Sequence, residues 1–189
     1  MRRLAAIFLL LLPSLAMAEP WYLDRAQTSV KVKVGYAGTS GVTVDFRSIG
    51  GAIDFDETRP EQARAKIQVA SQHVETGLGL VNRLVRSEDY LDAAGHPHIT
   101  FQLDRVEPTS ERSANIHGRI TLRGVTRPIV FAADVFSFGP RQGGTDIFEA
   151  GFKMRGQIDR RDFGSTAGQP QVSTLLPISI RLVMTSKPV

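Results

Sequence analysis

The clearest candidates for chemistry in this chain are two histidines, His96 and His98. In an extended strand, residues two apart point to the same face, so this pair could hold a metal ion. However, no carboxylate or third histidine lies at a convincing spacing, and Pro97 between the pair restricts the backbone. We therefore predict no metal site here.

Nucleophilic catalysis has even less support. The chain has no cysteine and no G-x-S-x-G elbow, and the serines beside glycines, Ser40 and Ser165, fall in predicted loops. The glycine pairs at 50–51 and 143–144 do not precede helices, so they indicate turns and bulges rather than a nucleotide site. We predict no enzymatic activity and no cofactor, although distant residues can converge in space.

Apolar residues alternate with polar ones through most of the chain, as in antiparallel strands with one dry face. Between Phe46 and Ile49 the alternation switches parity, which predicts a bulge or bend just before the glycines at 50–51. A hairpin is predicted around Gly124–Arg127, with Pro128 at the first position of its second strand. Strands in this number fit a sandwich or a closed barrel, and the need to hide sheet edges favours a barrel of about eight strands.

The segment from Leu78 to Leu91 breaks this pattern. Leu80, Val81, Leu84 and Val85 follow helical spacing, which predicts a short amphipathic helix. We expect its apolar face to cover an end or side of the barrel and to contact a ligand. Packing on the core and docking on a membrane are the alternatives.

The N-terminus predicts export. Arg2 and Arg3 precede an apolar run from Leu4 to Leu15, and Ala16-Met17-Ala18 fits signal peptidase, so residues 1–18 are predicted to be a cleaved signal peptide. The run is too short for a stable membrane span. Residues 19–189 then form one domain, predicted to be periplasmic, without a lipobox cysteine or disulfides.

Charge argues against nucleic acid as a partner. The net charge of the whole chain is +4, and loss of Arg2 and Arg3 leaves about +2 in the mature protein. The basic residues are scattered along the sequence, without the interleaved aromatic residues of a phosphate-tracking groove.

Four motifs are the most distinctive text of the chain: Ser87-x-Asp89-Tyr90-Leu91-Asp92, Pro97-x-Ile99-Thr100-Phe101, Leu122 to Pro128, and Asp159-Arg160-x-Asp162-Phe163-Gly164. Through these motifs the chain resembles the YceI-like family of polyisoprenoid-binding proteins. The resemblance implies an all-β, lipocalin-like antiparallel barrel that holds a long isoprenoid lipid or the tail of a quinone. By themselves, the charges at 159–162 are typical of a solvated turn, and we predict that they fix a turn rather than perform chemistry.

Ten residues are predicted to bind this ligand. Periodicity cannot decide whether the inward apolar residues fill the barrel or line a hollow one, but the resemblance favours the hollow form. Tyr36 is the expected polar contact near one end. The predicted set is Val32, Val34, Tyr36, Phe46, Leu80, Leu84, Phe101, Phe131, Phe152 and Met154.

Three functions remain open at this stage: an isoprenoid or quinone carrier without chemistry, a stress-response or interaction protein with a filled barrel, and a hydrolase or isomerase acting on such lipids. The last would need a cluster of titratable side chains inside the barrel, and the strands offer few inward charges. The sequence does not decide between a monomer and a homodimer.

Overall fold

The computed structural model describes residues 21–143 and 146–189, so the predicted signal peptide lies outside the described residues. Within them the chain forms eleven strands, one α-helix, α1 (Gly79–Arg86), and two short 3₁₀ helices, Pro60–Gln62 and Arg160–Phe163. The strands are β1 (Tyr22–Leu23), β2 (Ser29–Val34), β3 (Val42–Phe46), β4 (Ile49–Asp54), β5 (Arg64–Ala70), β6 (Val74–Glu75), β7 (His98–Ser110), β8 (Ser113–Leu122), β9 (Val125–Pro140), β10 (Phe148–Asp159) and β11 (Leu175–Thr185).

These strands form one curled antiparallel sheet in the order β4-β5-β7-β8-β9-β10-β11-β2-β3-β6, with β1 paired to β11. The sheet order begins with β4 and β5 and ends with β3 and β6. These strands are consecutive in the chain, because β3 leads directly into β4 and β5 leads directly into β6. The amide of Arg47 donates to the carbonyl of His73, and that of Ala70 to the carbonyl of Ser48, each at 2.9 Å. These bonds continue the ladder around the bend, so the sheet curls back on itself as a barrel.

The all-β barrel prediction is confirmed, but the predicted number of about eight strands is wrong. Bends at Arg47–Ser48 and at Ser71–His73 divide two long strands into four, and β1 adds a further short strand. The first bend lies at the predicted change of parity. Just after it, Gly51 has a φ of 144°, and a Cβ there would lie 2.2 Å from the carbonyl oxygen of Lys66. This close approach requires glycine.

Two local predictions need correction. The hairpin between β8 and β9 turns through only Arg123 and Gly124, whose φ angles of 52° and 74° fit a type I′ turn. Pro128 is therefore the fourth residue of β9; pairing with β10 begins only at Ala132, so its missing N–H removes no bond to that strand. Helix α1 ends at Arg86 rather than Leu91.

Candidate functional site

A cavity of about 610 Å³ runs through the inside of the barrel. It follows β11 from Leu176 to Met184, eight residue steps of about 3.3 Å, and is therefore roughly 26 Å long. A packed core leaves few voids larger than a water molecule, whereas this volume falls within the usual range of small-molecule sites. The barrel is hollow.

The lining is apolar along most of its length. Its charged members, Glu57, Glu111 and Arg112, are all exposed and lie at one end, between the β4–β5 connection and the β7–β8 turn. Arg112 donates from its guanidinium to the carbonyl of Val135 at 3.2 Å, across the rim. We call this end of the barrel the mouth. Exposed lining residues show that the cavity reaches solvent there.

Six of the ten predicted residues line the cavity: Val32, Phe46, Phe101, Phe131, Phe152 and Met154. Val34 instead packs against the core cluster around Val44 and Val74. Tyr36 is 53% exposed and forms a bridge with Val172, outside the lining. The sequence had not selected several other lining residues, although their alternation marked them as inward: Ile67, Leu103, Ile116, Ile178, Ile180 and Leu182.

Helix α1 does not present its predicted ligand face to the cavity. Leu80 and Leu84 are 72% and 49% exposed and are not part of the lining. Val85, one position further around the helix, packs against the Val44 and Val74 cluster. The apolar stripe is therefore divided, with one edge turned to the barrel and the other to solvent.

Two glycines keep the centre of the barrel open. A Cβ on Gly118 would lie 2.4 Å from the ring of Phe101, and one on Gly156 would lie 2.6 Å from the ring of Phe131. Each ring therefore occupies the space of a missing side chain on the neighbouring strand. The two rings pack edge to face, with their centroids 5.7 Å apart. Inward-phase glycines were the only sequence signal of this arrangement.

The opposite end of the barrel, which we call the cap, is held by Arg160. This side chain is 3% exposed, and it donates to the carbonyls of Ser173 and Ser165 at 2.9 Å and to that of Ala167 at 2.6 Å. Burial lowers the pKa of the guanidinium from its usual value. Phe163, 2% exposed, lies in the core beside it. The motif forms a turn as predicted, but the expectation that its charges are solvated is wrong for Arg160, which is buried.

Arg123 fastens the same end. Its guanidinium donates to the carbonyls of Glu88, Tyr90 (3.1 Å) and Phe163 (3.2 Å). Three of the four distinctive motifs, which are far apart in sequence, thus meet at the cap. Arg123 and Arg160 donate to backbone carbonyls there, which indicates a structural role for these two side chains.

The start of α1 is tied to β6 through Glu75. Its carboxylate accepts from the side chain of Asn82 at 3.1 Å and from the amide of Gly77 at 2.7 Å. These hydrogen bonds lower the pKa of Glu75, and the bond from Asn82 has the largest effect. Asn82 thus has an anchoring role in this structure, and no contact with the cavity.

Within the described ranges, no three His, Cys, Asp or Glu side chains are grouped as a metal ion would require. His96 instead lies 3.6 Å from the carboxylate of Asp92. Over the same residues, α1 is far too short to cross a bilayer and no helix qualifies as a membrane span.

The fold and cavity define an antiparallel β-barrel with an internal apolar site. The chain belongs to the YceI-like domain family, whose model matches residues 21–184. It is 31% identical to a UPF0312 protein of Azotobacter vinelandii, over 79% of this chain and 78% of that one. It is 30% identical to a UPF0312 protein of Pseudomonas savastanoi pv. phaseolicola, over 85% and 83% of the two chains.

Two solved structures share the fold at low sequence identity. Burkholderia cenocepacia BcnA superposes with a TM-score of 0.74 at 20% identity, covering 86% of this chain and 99% of BcnA. A polyisoprenoid binding domain from Saccharophagus degradans, implicated in plant cell wall breakdown, gives 0.64 at 17% identity, covering 87% and 97%. At these identities the likeness establishes the fold alone.

Proposed function

We propose that this protein is a periplasmic carrier that holds a long isoprenoid lipid, or the isoprenoid tail of a quinone, in its barrel without chemical change. The observation that carries this proposal is the cavity, which is long, narrow and uncharged between its ends. The polyisoprenoid-binding neighbour of the same fold supports the choice of ligand. The signal-like N-terminus supports the periplasmic location.

The energetics of such a ligand fit this lining. A linear isoprenoid has no charge to pair, so its affinity comes from apolar area removed from water. Burial of 400 Å² would contribute about 10 kcal/mol before the cost of ordering a flexible chain is subtracted. A buried charge along the path would oppose binding, and the described lining places its charges only at the mouth.

A carrier role without catalysis is supported by the same distribution of side chains. A reaction on a bound lipid needs acid, base or nucleophile groups near the reacting atoms. The cavity presents mainly apolar side chains, and the hydroxyl of Thr28, a lining residue, is bonded to the backbone of Val183. The titratable groups of the described lining, Glu57, Glu111 and Arg112, are exposed to solvent at the mouth and lie away from the apolar middle of the cavity.

Mass spectrometry of an organic extract tests the proposal, using protein expressed with its signal and purified without detergent. We expect an isoprenoid lipid or quinone in near-stoichiometric amount. A matched pair of variants separates cavity from surface: Ala133→Phe adds a ring inside the barrel, and Ala132→Phe adds the same ring outside. The lipid should be lost only from Ala133→Phe. Equal lipid content in both variants, or none in the wild type, would overturn the proposal.

A further inference from the structure

The outer surface of β2, β10 and β11 carries a concentration of positive charge that the linear sequence does not reveal. Lys31, Lys33, Lys153, Arg155 and Arg181 come from these three strands and point away from the cavity. The register places Lys153 directly opposite Arg181, and Ser179 opposite both Arg155 and Lys31. With a strand spacing of about 4.8 Å, the five cations form one surface, which we call the basic face.

The acidic residues near the basic face are already engaged. Asp134 lies 3.5 Å from Arg155, and Asp45, opposite Lys31 on β3, lies 3.1 Å from Arg47. Across the described residues, Lys31, Lys33, Lys153 and Arg181 have no carboxylate within 4.0 Å. The face therefore has a net positive charge of several units.

The opposite outer surface, on β7 and β8, shows that this arrangement is not general. There Arg119 pairs with Asp104 at 2.9 Å, and Glu107 accepts from His117 at 2.7 Å and lies 3.4 Å from Arg105. Cations and anions are matched on that side of the barrel. The β7–β8 face is thus neutralised by its own ion pairs, whereas four cations of the basic face have no carboxylate partner among the described residues.

The pair of Lys153 and Arg181 points to an anionic partner. Like charges directly opposite each other on neighbouring strands are destabilising. Here both stack on Phe136, with the Arg181 guanidinium 3.9 Å and the Lys153 ammonium 5.7 Å from the ring centroid. The ring holds the two charges side by side at the surface. An anion bound between them would relieve their repulsion.

We propose that the basic face docks the protein on an anionic phospholipid bilayer. Its cations are spread over a broad sheet, as suits many separate phosphates, and the Phe136 ring among them is covered by Arg181 rather than open to a nucleic-acid base. The strands of the basic face lead to the mouth. There Phe138 and Phe148 are 46% and 43% exposed, and their ring centroids lie 6.2 Å apart. This proposal rests on the proposed function, because a lipid cargo must be exchanged with a membrane.

Co-sedimentation with phosphatidylcholine vesicles, prepared with and without phosphatidylglycerol, tests whether the basic face binds an anionic bilayer. The double variant Lys31→Glu/Lys153→Glu reverses two charges of the basic face, and Arg64→Glu/Lys66→Glu makes the same change in net charge on the outside of β5. Each cation near an anionic surface contributes roughly a fivefold factor, so the first variant should bind about 30-fold more weakly or worse. Raising the salt concentration should release the wild type.

The control variant should bind nearly as the wild type does. Equal losses in both double variants, or equal binding of the wild type to both kinds of vesicle, would overturn the proposal. The lipid content of each variant is measured separately by extraction. Because the basic face does not touch the cavity, Lys31→Glu/Lys153→Glu should keep its cargo. Vesicle binding by a wild type that carries no cargo would leave the docking result standing and count against the proposed function alone.

Discussion

The two ends of this barrel are built differently. At the cap, Arg123 and Arg160 bind backbone carbonyls from distant segments, and Phe163 is buried beneath them. At the mouth, Phe138 and Phe148 are exposed, and charged side chains stand around an open rim. Hydrogen bonds to charged donors in a buried setting are strong, so the cap resists opening. At the mouth the bond from Arg112 to the carbonyl of Val135 is exposed to water, where a hydrogen bond contributes less, and we infer that ligand enters there.

This difference separates the charged residues of the distinctive motifs from the cavity lining, although apolar motif residues such as Leu91, Phe101 and Leu122 do line the cavity. The most distinctive motifs encode the cap, where an arginine must meet particular carbonyls. The lining consists of ordinary apolar residues on alternating positions, which many sequences could supply. The charged residues of the motifs therefore indicate how one end of the barrel is closed. The cavity lining indicates which ligands the barrel can hold.

The largest expected effect comes from breaking the cap. Arg160→Met leaves several buried carbonyl oxygens without donors and should lower the free energy of unfolding by about 3–5 kcal/mol. Urea denaturation measures this change. The matched control is Arg161→Met: that neighbour is exposed and bonds only the nearby carboxylate of Asp159, so its loss should leave stability almost unchanged. Similar losses in both variants would contradict a special role for the buried arginine.

The next effect comes from filling the cavity. Phe152→Trp adds bulk inside the cavity, next to Phe55. We expect the larger ring to displace two CH₂ groups of the ligand. At about 0.8 kcal/mol each, this loss should weaken lipid binding roughly tenfold. Because the interior has room, unfolding should stay cooperative and the stability loss should remain below the ~1–3 kcal/mol typical of an overfilled core. Gln157→Trp, on the outside of the same strand, should change neither property. A large fall in stability without loss of binding would indicate a filled barrel.

A smaller effect is expected at the mouth. Phe138→Ser removes part of the apolar rim and should slow ligand transfer from vesicles by a few-fold, with a lesser change in affinity because most of the lining remains. Stopped-flow transfer of a fluorescent isoprenoid gives both quantities. Val130→Ser alters an equally exposed apolar residue of the same strand away from the mouth. Slower transfer in Val130→Ser alone would argue against entry at the mouth.

The smallest effect is predicted on the solvent edge of α1. Leu84→Asp should change the unfolding free energy by less than about 0.5 kcal/mol and leave lipid retention unchanged, because Leu84 lies outside the cavity. Val85→Asp should cost more, since Val85 packs on the core. Thermal unfolding and lipid extraction of the two variants provide the comparison. Loss of lipid from Leu84→Asp at normal stability would restore the sequence-based prediction of ligand contact.

Local patterns in the sequence predicted the strands, the bend after Phe46 and the helix near residue 80, because period and parity are properties of neighbouring residues. They did not predict that Leu80 and Leu84 would face solvent, since a helical stripe does not say which of its edges meets the barrel. The two-residue turn was missed because Arg123 stands where asparagine or aspartate usually marks such turns.

Other features depend on strand register and could not be obtained from one sequence. Gly118 and Gly156 give space to Phe101 and Phe131 only because of how β7 to β10 are aligned. The scattered basic residues likewise converge only when β2, β10 and β11 pair. Each of these contacts joins residues far apart in the chain, and period alone carries no information about them.

Methyl NMR with a bound linear isoprenoid alcohol shows where the ligand lies along the barrel, and so tests whether the cavity is the binding site. We expect intermolecular NOEs from the ligand to the methyl groups of Met154, Ile180 and Leu182, and none to those of Leu80 or Leu84. NOEs confined to Leu80 and Leu84, with the cavity methyl signals unchanged on addition of ligand, would contradict it.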